Sequence, residues 1–126
     1  MNLLLIAIGG ALGSVARYVL SSLVTRAAGA FSPLGTWAVN LVGCVLFGAI
    51  VGAADSRIVL SPEARAFLLI GVLGGFTTFS SYAFESVALL RDGQLAGAAL
   101  NIAGQVVTGL AGLWAGWYLA SGVSRP

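Results

Sequence analysis

The run GGFTTFSSYAFE, residues 74–85, puts two adjacent glycines ahead of four hydroxyl side chains, Thr77, Thr78, Ser80 and Ser81. The rings of Phe79 and Tyr82 and the carboxylate of Glu85 stand among and after them. Glycines followed by hydroxyl residues favour a broken helix. A break frees carbonyls at one half-helix end and N–H groups at the other, making sites for a cation and an anion respectively. The hydroxyls can re-satisfy the freed groups or face a permeant ion. Phe79 and Tyr82, three apart, share one face of a resumed helix. Aromatic ring edges are electropositive, so two of them can meet an anion weakly, without trapping it, as conduction requires. Packing against lipid or another helix is the competing reading of the rings. Glu85 is expected to pair with Arg91 or to snorkel.

Further polar groups lie in apolar surroundings. Asn40 offers two amide donors and an acceptor, as interhelical glue or as part of a pathway. Asn101, Gln105 and Thr108 fall within about 60° of one another at 100° per residue, a polar stripe on an otherwise apolar helix. None of these four is charged, so a track built from them suits a species that needs hydrogen bonds without ion pairing. Arg17 lies deep for an arginine. It either snorkels beside Tyr18 or forms an electropositive lip that concentrates anions. Cys44 reads as a small packing residue.

These residues need a membrane around them. Of 126 residues 59% are hydrophobic and 8% charged, with a mean hydropathy of +1.01. A water-soluble domain this short cannot bury so much apolar surface. Four segments approach the roughly 20 residues a crossing requires: residues 2–24, 36–54, 64–90 and 95–121, forming a single four-span membrane domain. By the rise per residue, Gly74 and Gly75 lie about 18 Å beyond Pro62, near the middle of the third span. Irregular backbone at that depth survives only inside protein or along a cavity. Ser61-Pro62-Glu63 is a good helix start and RDGQ (91–94) a tight turn.

The six positive charges are scattered arginines, with no lysine, which argues against nucleic-acid binding. Histidine is absent and cysteine occurs once, so His-based catalysis, His or multi-Cys metal sites and an intramolecular disulfide are excluded. The N-terminus lacks the basic region of a cleavable signal. Four spans put both ends on one side, with Arg57, Arg65 and Arg125. Arg26 and Arg91 lie opposite, joined by Arg17 if it reaches that interface. Orientation follows arginine and lysine bias, and here it is nearly balanced. Insertion in both orientations follows as an expectation, with an antiparallel homodimer as its natural assembly. A single, weakly biased orientation is the alternative. The 18 glycines, including Gly9 and Gly13, Gly48 and Gly52, and Gly104, Gly112 and Gly116, read mainly as helix-packing faces.

GGALGSVARY, GTWAVNLVG and above all GGFTTFSSYAFE resemble the Fluc (CrcB-type) fluoride channels, over essentially the whole chain. The resemblance implies an all-α integral membrane protein with four transmembrane helices per subunit, a break in the third, and an antiparallel dual-topology homodimer. It implies two fluoride pores and a structural sodium ion at the dimer centre, held by the backbone carbonyls of Gly74 and Thr77 from both subunits. Phe79 and Tyr82 match the family's pair of pore phenylalanines, Asn40 its pore asparagine and Arg17 its first-helix arginine. Glu85 matches the acid after the aromatic pair. Tyr82 departs from the pattern by a hydroxyl able to bind or obstruct an ion. Asn101 and Gln105 put amides where relatives often have tyrosine and serine.

The expectation is a passive fluoride channel of the cell (inner) membrane, without catalysis. Fluoride in preference to chloride rests on the resemblance alone. The rival is a four-span, dual-topology, proton-coupled multidrug exporter. That mechanism needs a carboxylate deep in the first span, where this chain has Arg17 and no acid.

Overall fold

The computed structural model describes residues 1–29 and 32–122; Arg125, counted in the charge balance, lies outside them. The described residues form helices α1 (Asn2–Ala28), α2 (Leu34–Ser56), α3 (residues 62–76), α4 (Phe79–Arg91) and α5 (Leu95–Ser121). Helices α3 and α4 make one crossing, Pro62–Arg91, so four segments are long and apolar enough to span a membrane. Helix α1 runs past Val24 to Ala28, and α2 extends beyond Thr36 and Ala54 at both ends.

Local chemistry sets the ends. Ser61 is extended, its Oγ accepts the Ala64 N–H at 3.1 Å, and Pro62 fills the first helical position, where no N–H is needed. Gly93, with φ of 72°, turns the chain from α4 into α5, a conformation that costs glycine nothing.

Two long helix pairs carry most of the packing, α2 with α5 and α1 with α3. Both rest on glycine. A Cβ at Gly48 would fall on the Leu113 carbonyl and one at Gly116 on the Val45 carbonyl; Gly13 stands in the same way against Val72. Backbones this close gain dispersion contacts, which drive helix association where lipid removes the hydrophobic term. The buried apolar set is accordingly small: Val39, Ala66, Leu73, Phe76 and Ala98. Large apolar side chains line the outside, Leu3 at 83% and Leu119 at 72% exposed, as a lipid solvent permits.

Helix α3 is not uniform. It opens as an α-helical turn (Pro62–Arg65), widens into a π-helix (Ala66–Leu73) and closes with Gly74–Phe76. The break expected at the two glycines falls later, at Thr77 and Thr78. Gly74 is helical, with φ −64° and ψ −38°, whereas Thr77 has ψ 156° and Thr78 has φ −148° and ψ 111°. Gly75 serves packing instead, since a Cβ there would meet the Gly10 carbonyl of α1. The break belongs to the threonines because Thr78 caps the next helix: its Oγ1 accepts the Ser81 N–H at 3.2 Å.

Candidate functional site

The break leaves backbone groups to satisfy, and α2 supplies the means. Asn40 Oδ1 accepts the Thr78 N–H at 2.8 Å, and Asn40 Nδ2 donates to the Thr78 carbonyl at 3.1 Å. The amide side chain replaces a missing peptide neighbour for both polar groups of Thr78. Asn40 Nδ2 also donates to Gln105 Oε1 on α5 at 3.0 Å. Gln105 Nε2 donates to Asn101 Oδ1 at 2.8 Å, and Asn101 Nδ2 to Ser86 Oγ on α4 at 3.0 Å. Ser86 Oγ donates in turn to the Tyr82 carbonyl at 2.7 Å. Asn101 and Gln105 are buried, at 1% and 8% exposure. Thr108, the third residue of the expected stripe, is engaged elsewhere. Its Oγ1 accepts from Trp37 Nε1 at 2.9 Å and donates to the Gly104 carbonyl at 2.7 Å.

The four hydroxyls of the run mostly serve the break. Thr77 Oγ1 donates to the Leu73 carbonyl at 2.9 Å. Thr78 Oγ1 donates to Ser81 Oγ at 3.0 Å and lies 3.3 Å from Ser80 Oγ. Ser80 and Phe79 are exposed on the outer face of this chain, Phe79 at 79%. The Phe79 and Tyr82 rings lie 5.4 Å apart, tilted by 47°, in reach of an edge-wise contact. The Tyr82 hydroxyl donates to the Ile102 carbonyl at 3.1 Å, so its one proton is directed at α5.

Three cavities adjoin these groups. One of about 120 Å³ is lined by Asn40, Cys44, Phe79, Tyr82, Gln105, Val106 and Gly109. A second, of about 260 Å³, shares Asn40, Cys44 and Phe79 and adds Gly43, Phe47, Thr77, Thr78 and Leu113. Neither lining carries a full charge. In the smaller cavity the second amide hydrogen of Gln105 and the ring edges can meet a small anion without an ion pair to hold it. A wider mouth of about 750 Å³ includes Thr25, Ser32, Phe84, Glu85, Asp92 and Gln94. Arg17 is half-buried on α1 and lines none of the three.

Glu85 neither pairs with Arg91 nor snorkels. Thr36 Oγ1 on α2 donates to its Oε1 at 2.5 Å, and its Oε2 is buried with no hydrogen-bond partner among the described residues. Thr36, Trp37 and Ser86 were not singled out from the sequence. Ser86 had a signal, four residues beyond Tyr82 and so one helical turn from its carbonyl. Thr36 and Trp37 depend on which faces of α2, α4 and α5 meet, which spacing alone does not give.

Backbone oxygen at the break suits a hard monovalent cation. The Thr78 N–H turns to Asn40 and not to the carbonyl four residues back, which is that of Gly74. Thr77 is extended, so its own carbonyl also leaves the helical ladder. Gly74 is exposed, and a Cβ there would meet nothing nearer than the Leu69 carbonyl at 3.8 Å. The residues fit sodium held by carbonyl oxygens. Among the described residues no cluster of acidic, histidine or cysteine side chains offers an alternative metal site.

Comparison with known proteins identifies the family. The family model described as CrcB-like protein, Camphor Resistance (CrcB), matches residues 4–117. A fluoride-specific ion channel FluC of Nitratidesulfovibrio vulgaris is 49% identical over 115 residues, covering 91% of this chain and 93% of that protein. The protein of the same name from Maridesulfovibrio salexigens is 47% identical over 108 residues, 86% of each chain. That of Chlorobium phaeobacteroides is 48% identical over 117 residues, 93% of this chain and 90% of its own. With the family model covering nearly all of α1 to α5 and these relatives aligned over 86–93% of the chain, the chain belongs to the CrcB-like family.

Proposed function

We propose that this chain forms a fluoride channel, passively releasing cytoplasmic fluoride across the inner membrane down its electrochemical gradient. One observation carries the reading: the third crossing is broken beside Phe79 and Tyr82, and an uncharged amide, Asn40 of α2, closes the break while bonded to Gln105 of α5. The relatives' names supply the ion. HF crosses bilayers neutral and dissociates inside, and the membrane potential then favours exit of the anion. The pathway needs only to replace water with amide N–H groups, hydroxyls and ring edges in a passage too narrow for hydrated ions.

In this reading Asn40, Phe79, Tyr82, Thr77, Thr78, Ser80, Ser81, Asn101 and Gln105 belong to the pathway or its walls, and Arg17 raises the local anion concentration. Two copies in opposite orientations make the working unit, a homodimer with its axis in the membrane plane. The carbonyls of Gly74 and Thr77 from both copies would hold a structural sodium ion, which would supply positive charge between the two breaks. The near-even arginine distribution and the exposure of Gly74 and Phe79 support that assembly. A proton-coupled exporter has no comparable support: the first crossing holds no carboxylate, and Glu85 of the third is bonded to Thr36.

The test uses purified protein in liposomes loaded with potassium fluoride. A potassium ionophore is added and release is followed with a fluoride electrode, beside a parallel chloride experiment. Rapid fluoride release with chloride retained is the expected result. Folded protein that releases neither ion, or both equally, would contradict the proposal.

A further inference from the structure

The hydrogen bonds around the break run in one direction. The Thr78 N–H donates to Asn40, Asn40 to Gln105, Gln105 to Asn101, Asn101 to Ser86, and Ser86 to the Tyr82 carbonyl. Both ends are backbone groups of fixed character, an N–H that can only donate and a carbonyl that can only accept. They dictate the orientation of every amide between them. The chain starts and finishes on the turn that bears Phe79 and Tyr82, so side chains from α2 and α5, with Ser86, close a circuit around that turn. Bonds aligned in series polarise one another and strengthen together.

The count of hydrogens then decides what Asn40 can do. Its two amide hydrogens go to the Thr78 carbonyl and to Gln105 Oε1, while its oxygen takes the Thr78 N–H. No donor is left for an ion. Gln105 and Asn101 each spend one amide hydrogen in the circuit and keep one. Ser86 is 5% exposed and lines none of the cavities beside the break, so it cannot touch a permeant ion directly.

We propose that Ser86 is a positioning residue: through Asn101 and Gln105 it holds Asn40 as the splice of the broken helix, and Asn40 does not itself donate to the ion. The inference rests on the channel reading and divides labour within it. If Asn40 and Gln105 instead met the ion independently, Ser86 would matter only to stability.

The experiment measures fluoride release per reconstituted dimer, and the fluoride-to-chloride ratio, for wild type, Ser86→Ala, Ser86→Thr, Asn40→Ala and the double variant Ser86→Ala/Asn40→Ala. Loss of one neutral hydrogen bond in the chain is expected to slow release about fivefold. Ser86→Thr should restore it, because a helical threonine bonds the same carbonyl four residues back, as Thr108 does here. The double variant should match Asn40→Ala alone. Release by Ser86→Ala equal to wild type per dimer, or defects that multiply in the double variant, would overturn the proposal. Should Ser86→Ala fail to assemble, a fluoride titration of wild-type protein labelled with [15N]asparagine decides. The chain has three asparagines, Asn2, Asn40 and Asn101. An unmoved Asn40 side-chain amide supports the splice, and a fluoride-dependent shift of that amide refutes it. Wild-type vesicles that release no fluoride would sink the channel reading as well, an outcome distinct from either.

Discussion

Single side chains in this protein are set by what they can donate and accept, and Glu85 makes the case most sharply. Thr36 gives its carboxylate one hydrogen bond, and the other oxygen is buried without one. Replacing Thr36 by valine keeps the shape and leaves both oxygens unpaired, an outcome that costs about 1–3 kcal/mol for a buried polar group and more for a charged one. Thr36→Val should therefore lower the thermal unfolding midpoint in detergent, and Thr36→Ser should restore it; an unchanged midpoint would mean that water reaches Glu85. Tyr82 follows the same logic. Its added hydroxyl donates to the Ile102 carbonyl, so its one proton is already spent within the protein. The amides of this network, Asn40, Asn101 and Gln105, were legible in the sequence as uncharged polar groups in apolar helices; the hydroxyls of Thr36 and Ser86 were not. Nor was the pairing. Spacing put Thr108 on the stripe of Asn101 and Gln105, but Trp37 comes from another helix and takes it away, and no pattern within α5 records that.

Among the helices, the third crossing departs furthest from what its sequence implied. Glycine pairs signal backbone freedom, and the break was expected at Gly74 and Gly75 for that reason. Helix α1 uses glycine differently: its backbone passes so close that Gly75 and Gly71 face Gly10 and Gly9. Capping by Thr78 then sets the break by hydroxyl chemistry and not by glycine flexibility. The π-helical stretch Ala66–Leu73, which packs against α1, has no signature in composition at all, since its residues are ordinary apolar ones. Two neighbouring glycines of α1 separate packing from propensity. At Gly13 a Cβ would fall on the Val72 backbone, which cannot move aside, whereas at Gly10 the nearest atom is the Gly71 carbonyl at 4.0 Å. Alanine is favoured over glycine in a helix interior by about 1 kcal/mol. Gly13→Ala is expected to destabilise the protein and Gly10→Ala to be neutral or stabilising, as read by unfolding in detergent. Equal effects at the two positions would show that close approach to α3 is not what glycine serves here.

The whole molecule exposes what a finished membrane protein normally covers. Phe79, Ser80 and Gly74 lie on the surface of the single chain, although they flank the break that polar side chains work to close. An antiparallel partner would cover that face with its own copy, bringing two pairs of carbonyls together on a two-fold axis. Such a partner requires both orientations in one membrane, and the arginine balance permits this because neither side dominates. Orientation can therefore be fixed by moving little charge. Ala27→Arg with Arg57→Ala loads the side of Arg26 and Arg91; Val59→Arg with Arg26→Ala loads the opposite side, Val59 being fully exposed between α2 and α3. Each pair alters termini and loops only, away from the break. Made separately, each variant should insert one way and give vesicles that retain fluoride. Made together in one cell and purified as a mixed dimer, they should release it at a rate near that of wild type. Release by either variant alone would show that parallel or single chains conduct, and the exposed face of α4 would then need a lipid-facing explanation in place of a second copy.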